Sequence, residues 1–148
     1  MRKVFVLIIL IALAGCVPPA PKIVSGPEAD YQHAALSVKE KKFHEAIGAY
    51  RKIAADAPGS DLAADSLYAL ALIHTRSDNP QRNYALALRS FEEFLKNAPG
   101  DRRADEVHSW VALLRMVQDL KKENETLLMN IEQLKRLDVR HEERRKGK

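Results

Sequence analysis

Apolar residues recur at helical spacing over most of the chain. Between about Glu28 and Arg140 no run alternates apolar and polar residues as a strand would, few residues are β-branched, and alanine and leucine dominate. These two residues have high intrinsic helix propensity, and spacings of three and four place them on one face of a helix. The pattern predicts an all-α protein.

Two segments within this pattern resemble each other. Residues 43–59 (FHEAIGAYRKIAADAPG) superpose on residues 84–100 (YALALRSFEEFLKNAPG) without a gap, at an offset of 41. The matched positions are Phe43 with Tyr84, Ala46 with Ala87, Ile47 with Leu88, Tyr50 with Phe91, Ile53 with Phe94, and Ala57-Pro58-Gly59 with Ala98-Pro99-Gly100. Such internal similarity is the signature of a repeat architecture.

Each copy follows a segment that predicts another helix. These first helices begin with an Ala-Asp pair at Ala29 and Ala64, and a third such pair at Ala104 has no second helix of the same kind after it. Ser60 and Asp101, each just past a Pro-Gly pair, are the predicted N-caps of the helices that follow them. Residues 77–83 (SDNPQRN) have turn chemistry and predict a loop.

The repeated residues resemble the tetratricopeptide repeat (TPR), a helix-turn-helix unit of about 34 residues whose second helix carries alanine, an aromatic residue four positions later, and then proline. The links after the prolines resemble those of bacterial envelope lipoproteins of the BamD and YbgF (CpoB) type, although the tryptophan and glycine typical of the first helix are absent from both units. The resemblance implies a TPR-like domain over residues 28–112, with two repeats plus a third first helix. Its groove would bind a protein partner.

The repeat positions predict a packed core rather than a ligand site. A small alanine lets neighbouring helices approach, the aromatic residue fills the gap between them, and the proline ends the helix. The predicted core residues are Phe43, Ala46, Tyr50, Pro58, Tyr84, Ala87, Phe91 and Pro99. A generic helical hairpin core is the alternative interpretation of the same spacing.

The last helix is predicted to be much longer than the others. No proline or glycine occurs between Asp101 and Gly147, and a helix of 45 residues ending at Arg145 would extend about 68 Å. Within it, two sets of residues recur every seven positions: Leu113, Leu120, Leu127 and Leu134, and between them Val117, Asn124 and Ile131. This spacing predicts a coiled-coil seam over residues 113–139, with leucine at heptad position d and Val, Asn and Ile at position a.

Three occupants are compatible with this seam. Asn124 at position a favours a parallel homodimer, because two such amides pair across the seam. Packing of the seam on the repeats and pairing with another protein stay open, since the flanking charges form no evident interchain set: Glu123 at g would face Leu128 at e. After the seam, residues 140–148 predict a solvated, frayed basic tail.

The beginning of the chain has the layout of a secretory signal peptide. A basic pair precedes an apolar run from Val4 to Leu13, which is too short for a membrane span because a helix needs about 20 residues to cross a bilayer. This layout predicts a signal peptide over residues 1–15.

The residues LAGC, ending at Cys16, resemble the lipobox recognised by lipoprotein signal peptidase. The resemblance implies that the Cys16 thiol carries a diacylglyceryl group, that cleavage precedes this residue, and that the chain is anchored stably in a membrane by two or three acyl chains. A free thiol beside an ordinary cleavage site is the alternative. Val17 follows the cysteine in place of the aspartate that resembles an inner-membrane retention signal, which favours the periplasmic face of the outer membrane.

Residues 16–27 are rich in proline and predict a semi-extended tether after the lipidated cysteine. Removal of the signal peptide takes away Arg2 and Lys3, which lowers the number of basic residues from 24 to 22 against 20 acidic residues. Because the mature chain is then almost neutral, its charge does not favour nucleic acid as a partner.

Catalytic and metal-binding motifs are absent from the sequence. The five histidines are scattered without the spacing of a metal site, and the only cysteine is the one expected to carry lipid. The histidines are His33, His44, His74, His108 and His141. We therefore expect a protein that is not an enzyme and carries no cofactor besides the covalent lipid.

These features together favour a membrane-anchored, non-catalytic adaptor that binds other proteins through its repeat groove and its C-terminal helix. That helix and its basic end resemble the QseG (YfhG) type of lipoprotein, which attends a sensor histidine kinase, so the expected partner is a periplasmic sensor kinase or signalling protein. The alternative is a structural accessory subunit of an outer-membrane assembly or cell-division complex. Groove specificity is expected from first-helix side chains: Gln32, Lys39, His74 and Arg76.

Overall fold

The computed structural model describes residues 26–147, which form five helices and no strand. The helices are α1 (Pro27–Lys39), α2 (Phe43–Asp56), α3 (Asp61–Thr75), α4 (Tyr84–Asn97) and α5 (Ala104–Lys146). The prediction of an all-α chain with a long C-terminal helix is thus confirmed. The predicted signal peptide, Cys16 and nearly all of the predicted tether lie outside the described residues.

Consecutive helices pack on one another along the chain, and α1 also contacts α3. The links between α1 and α2 and between α2 and α3 are three and four residues long, so these neighbours form antiparallel hairpins. Helix α3 has buried residues on more than one side because α1, α2 and α4 all pack against it. Helix α4 then supports the start of α5.

Local side-chain chemistry fixes two of the helix starts. The Ser60 hydroxyl accepts a hydrogen bond from the Ala63 amide at 3.1 Å, which confirms the predicted N-cap of α3. The Asn83 carboxamide does the same for α4, since its Oδ1 accepts from the amides of Ala85 and Leu86. The turn before α3 requires Gly59, whose φ of 83° lies in the left-handed region that glycine adopts without strain.

The start of α5 differs from the prediction. Asp101 does not cap the helix, which begins three residues later at Ala104 and has Arg103 at its N-cap position. The Asp101 carboxylate instead accepts a hydrogen bond from the Arg103 amide at 2.8 Å, closing a short turn before the helix. The physical reason is that Arg103 is drawn into tertiary contacts that fix this turn.

The far end of α5 also differs from the prediction of a frayed tail. The helix continues through Lys146, and its last turn carries three cations, Arg144, Arg145 and Lys146. Positive charge at a helix C-terminus interacts favourably with the helix dipole. The predicted limits of the coiled-coil segment, residues 113 and 139, therefore both lie inside one uninterrupted helix.

The loop between α3 and α4 occupies the predicted residues 77–83 with Arg76 before them, and it is held by a buried asparagine. Asn79 donates from Nδ2 to the Ile73 carbonyl and accepts at Oδ1 from the Gln81 amide, both at 2.9 Å. The Asn83 amide donates to the His74 carbonyl at 3.0 Å. These bonds fold the loop back over the end of α3.

The core runs continuously from α1 to the first turns of α5. Aromatic pairs connect its parts: Tyr31 of α1 meets Tyr50 of α2 edge to face, with 5.1 Å between ring centroids. Burial raises the pKa of the Tyr50 phenol to about 12. Phe91, Phe94 and Val107 are fully buried where α4 meets α5.

Candidate functional site: the exposed helix and its base

The predicted seam of α5 lies at the surface. Its apolar residues, apart from half-buried Val117, are between 49% and 65% exposed, and Asn124 is exposed among them. The seam residues are Leu113, Val117, Leu120, Asn124, Leu127, Ile131 and Leu134. Isolated apolar residues on a surface are ordinary, but a continuous apolar stripe along a helix marks an interaction site.

Helix α5 meets the helical domain with a different face. Val107, Val111 and Leu114 are buried and belong to the core. With 3.6 residues per turn, this face is centred roughly 100° around the helix from the seam. The seam therefore does not pack on the repeats, and that alternative is wrong.

The base of α5 is fixed by the guanidinium of Arg103. Its Nη2 lies 2.7 Å from Oδ2 of Asp101 and 2.7 Å from Oδ1 of Asp65 in α3. The guanidinium also lies over the rings of Tyr68 and Phe94, at 4.9 Å and 5.1 Å from their centroids. One planar cation thus joins α3, α4 and the turn before α5, which is a combination of contacts that lysine does not reproduce.

A second group of contacts continues this base into the first turns of α5. The Tyr68 hydroxyl donates to Oε1 of Glu106 at 2.8 Å, and the Trp110 indole N–H donates to the same oxygen at 3.3 Å. The Trp110 ring stacks on Phe91, with 5.9 Å between centroids. Glu106 and Trp110 therefore hold α5 against both α3 and α4.

The ionisation of the base follows from these contacts. The Arg103 guanidinium beside Asp101 holds the pKa of that carboxyl at about 2, below its usual value of 3.8. The same hydrogen bonding to Asp101 and Asp65 raises the pKa of Arg103. Both shifts favour the charged forms, so Asp101 and Arg103 stay ionised at neutral pH.

The last ion pair between α5 and the other described helices joins Arg115 to Glu92 of α4, with 2.6 Å between Nη2 and Oε1. Leu114 is the last buried residue of the helix. Beyond these two residues the ion pairs of α5 are internal to the helix: Lys121 with Glu125, Arg136 with Glu132, and Lys146 with Glu142. The helix therefore extends away from the domain for about 47 Å, from Arg115 to Lys146, at 1.5 Å per residue.

Five of the eight predicted repeat-core residues are buried: Phe43, Ala46, Tyr50, Ala87 and Phe91. The two prolines, Pro58 and Pro99, are exposed just after the ends of α2 and α4, where they stop each helix. The prediction that Tyr84 is a core residue is wrong, because it is 38% exposed, whereas its counterpart Phe43 is 4% exposed.

The difference between Phe43 and Tyr84 has a physical cause. The loop after α3 lies beside Phe43, since Asn79, Pro80 and Gln81 border the same surface hollow as that ring. An arginine lies over each of the two rings, Arg76 over Phe43 at 5.5 Å and Arg82 over Tyr84 at 5.7 Å from the centroid, so these cations do not make the difference. In the second repeat, α5 takes the place that α3 has in the first. Where α3 ends and its loop begins, α5 continues as a helix, so no corresponding loop lies beside Tyr84. Tyr84 consequently remains partly uncovered.

The four side chains predicted to line the groove have different environments. Gln32, Lys39 and Arg76 are exposed, but His74 is buried with 4% exposure, so its prediction as a recognition residue is wrong. Burial lowers the pKa of His74 below 6.5, and its Nδ1 has no hydrogen-bond partner in the structure. His74 is thus part of the packing beneath the loop that follows α3.

Sequence reasoning did not find the base of α5. The local sequence pattern singles out only Asp65, as a helix-start marker, and Asp101, as a predicted cap. The full set of key residues is Asp65, Tyr68, Asp101, Arg103, Glu106 and Trp110. The sequence contains one signal for this base. Arg103 directly precedes the third Ala-Asp pair, and Asp101 lies two residues before Arg103. Its partners on α3 and α4 are distant in the chain and carry no spacing that identifies them.

Two further properties concern the described part of the chain. Among residues 26–147, no group of three or more His, Cys, Asp and Glu side chains is placed to hold a metal ion. None of the five helices combines the length and the apolar character that a membrane crossing requires.

Comparisons with protein-family models, curated proteins and solved structures find no match to this chain.

Proposed function

We propose that this chain is a lipid-anchored protein of the bacterial envelope and acts as a non-catalytic adaptor for a periplasmic sensor kinase or related signalling receptor. The observation that carries the proposal is the projecting part of α5, whose side chains are exposed from Asp119 to Gly147, because a long helix that extends beyond its own domain has its main use in contacting other proteins. The lipobox-like residues ending at Cys16 supply the anchor.

The helical domain has the role of a platform in this proposal. Its two hairpins are TPR-like units, supported by the gapless repeat of residues 43–59 at 84–100 and by the equivalent burial of Ala46 with Ala87 and of Tyr50 with Phe91. Exposed first-helix side chains such as Gln32 and Lys39 are available to a partner. The Arg103 base then holds α5 in one direction relative to this platform.

The anchor is tested by mass spectrometry of the protein purified from membranes. We expect a mature chain that begins at Cys16 with acyl groups on that residue. We expect the Cys16→Ala variant to lose these acyl groups and its membrane association. An unmodified thiol at Cys16 in a membrane-associated chain would contradict lipidation.

The adaptor function is tested by crosslinking in membranes followed by affinity purification. The full chain is compared with a chain truncated after Arg115, which keeps the ion pair with Glu92 and every buried residue of α5. We expect a membrane receptor with a periplasmic domain to be recovered with the full chain and lost on truncation.

Circular dichroism and Trp110 fluorescence control for the folding of the truncated chain, because Trp110 is the only tryptophan and lies in the base of α5. A receptor that remains bound after truncation would assign recognition to the groove of the repeats. Recovery of outer-membrane assembly or cell-division proteins in place of a receptor would overturn the signalling assignment.

A further inference from the structure

The exposed seam of α5 has the composition of a self-pairing coiled coil. Leucine at d combined with β-branched residues at a favours two strands. Here d holds leucine four times, and a holds Val117, Asn124 and Ile131. No charged residue occupies an a or d position between Leu113 and Leu134, and the next a position, Asp138, ends the apolar stripe.

The residues that flank the seam are compatible with a second copy in parallel. In that arrangement each g residue faces the e residue five positions later in the other copy. The three facing pairs along the seam are Met116 with Lys121, Glu123 with Leu128, and Asn130 with Lys135. None of them opposes like charges. Glu125 and Glu132 occupy b positions outside the seam and pair within α5 with Lys121 and Arg136.

Asn124 decides between parallel and antiparallel pairing. In a parallel, in-register pair its amide faces the same amide of the other copy, and the two hydrogen-bond to each other. In an antiparallel pair, a residues face d residues, so Asn124 would lie opposite Leu120 or Leu127 and lose its partner. A buried amide without a hydrogen bond is costly, so the parallel arrangement is favoured.

We propose that the seam of α5 pairs with a second copy of this chain as a parallel, in-register dimer. The face of α5 that contacts α4 is centred roughly 100° away around the helix, so both contacts can be made at once. Parallel pairing puts helices α1–α4 of both copies at the same end of the paired α5 helices. Both chains can then reach one membrane. The repeat grooves and the outer faces of α5 are left for the partner of the proposed adaptor.

The proposal is tested with cysteine substitutions in the full chain, oxidised or treated with a bismaleimide in intact membranes. Leu127→Cys places a thiol at d, and Met129→Cys places one on the outer face at f, where the side chain is exposed to a similar degree. The unsubstituted chain controls for any reaction of Cys16. We expect a covalent species of twice the chain mass from Leu127→Cys and none from Met129→Cys.

Orientation is tested by co-expressing differently tagged copies that carry Val117→Cys and Leu134→Cys. A parallel dimer separates these positions by about 25 Å along the stalk, so no mixed product is expected. Asn124→Leu removes the amide pair, and mixed products should then appear as antiparallel pairs form. A mixed product from chains that keep Asn124 would overturn the parallel assignment.

The second copy itself is ruled out if Leu127→Cys gives no dimer, gives one no more readily than Met129→Cys, or crosslinks to a protein of another mass. This inference does not depend on the adaptor function. A homodimer recovered without any receptor would support the dimer and contradict the adaptor function. A receptor bound to a chain that forms no crosslinked dimer would support the adaptor function and contradict the dimer.

Discussion

Arg103 and Asp65 form an ion pair across 2.7 Å that joins the turn before α5 to the middle helix of the domain. The pair is about a fifth exposed on the arginine side and two fifths on the aspartate side. Arg103 simultaneously binds Asp101 and lies over two aromatic rings. One side chain that no helical pattern identifies thus joins three parts of the fold at the start of the long helix.

Replacing Arg103 with lysine should loosen this base while keeping the charge. Lysine lacks the planar fork that binds two carboxylates and the flat cation that lies on Tyr68. We expect the free energy of unfolding to fall by about 1–2 kcal/mol, after allowance for solvent screening. Urea unfolding followed by Trp110 fluorescence measures the change. The exposed neighbour Arg102, changed to lysine, is the control, and equal losses in both variants would contradict the assignment.

His74 should make stability depend on pH in the weakly acidic range. Burial lowers its pKa below the unfolded value of 6.5, so the unfolded chain binds more protons than the folded chain as the pH falls below about 6.5. Stability is therefore expected to decrease from pH 7.5 to pH 5.5.

The pH effect is isolated by comparing slopes rather than absolute stabilities. In His74→Gln the change in free energy of unfolding between the two pH values should be smaller than in the unsubstituted chain. His44 is exposed at the start of α2, and His44→Gln is the matched control for the substitution itself. An unchanged slope in His74→Gln would show that the buried imidazole is not the titrating group.

The two Ala-Pro-Gly sequences should respond differently to the same substitution. Gly59 has a φ of 83°, whereas Gly100 lies outside the positive range, and an added Cβ would contact no atom within 4 Å at either position. We expect Gly59→Ala to lower the free energy of unfolding by about 1 kcal/mol through backbone strain and Gly100→Ala to be neutral or slightly stabilising. Thermal unfolding of both variants makes the comparison, and a similar loss in both would refute the conformational explanation.

The repeat partners Phe43 and Tyr84 should also differ. Removal of the buried Phe43 ring leaves a cavity, and Phe43→Ala is expected to cost about 3–5 kcal/mol. Tyr84→Ala removes a ring that is 38% exposed, so we expect a loss of about 1 kcal/mol. Urea unfolding of the two variants tests whether the loop after α3 covers Phe43, and equal costs would contradict that account.

The sequence predicts the helices and much of the core because both follow from local patterns. The Ser60 cap, the loop over residues 77–83 and the burial of Ala46 and Ala87 all depend on residues close in the chain or on the repeat. Tyr84 is more exposed than its repeat counterpart Phe43 because α5 continues as a helix where α3 ends in a loop. The repeat alone could not predict that difference.

The base of α5 was beyond sequence reasoning for a related reason. Asp101 has the residue type and the position of an N-cap, and its local preference is overridden because Arg103 finds Asp65 and two aromatic rings across the fold. Because of these tertiary contacts, α5 begins at Ala104, three residues after the predicted start at Asp101. The apolar seam, by contrast, follows from heptad spacing alone, but its exposure does not, because that spacing is equally compatible with packing on the repeats.

The fixed base and the unsupported remainder of α5 together make a mechanical lever. Beyond Arg115 the helix runs for about 47 Å, so a tilt of about 5° at the pivot between Arg115 and Glu92 would move the tip at Lys146 by roughly 4 Å. Small rearrangements around Arg103 would in this way be amplified into much larger displacements at the far end of the helix.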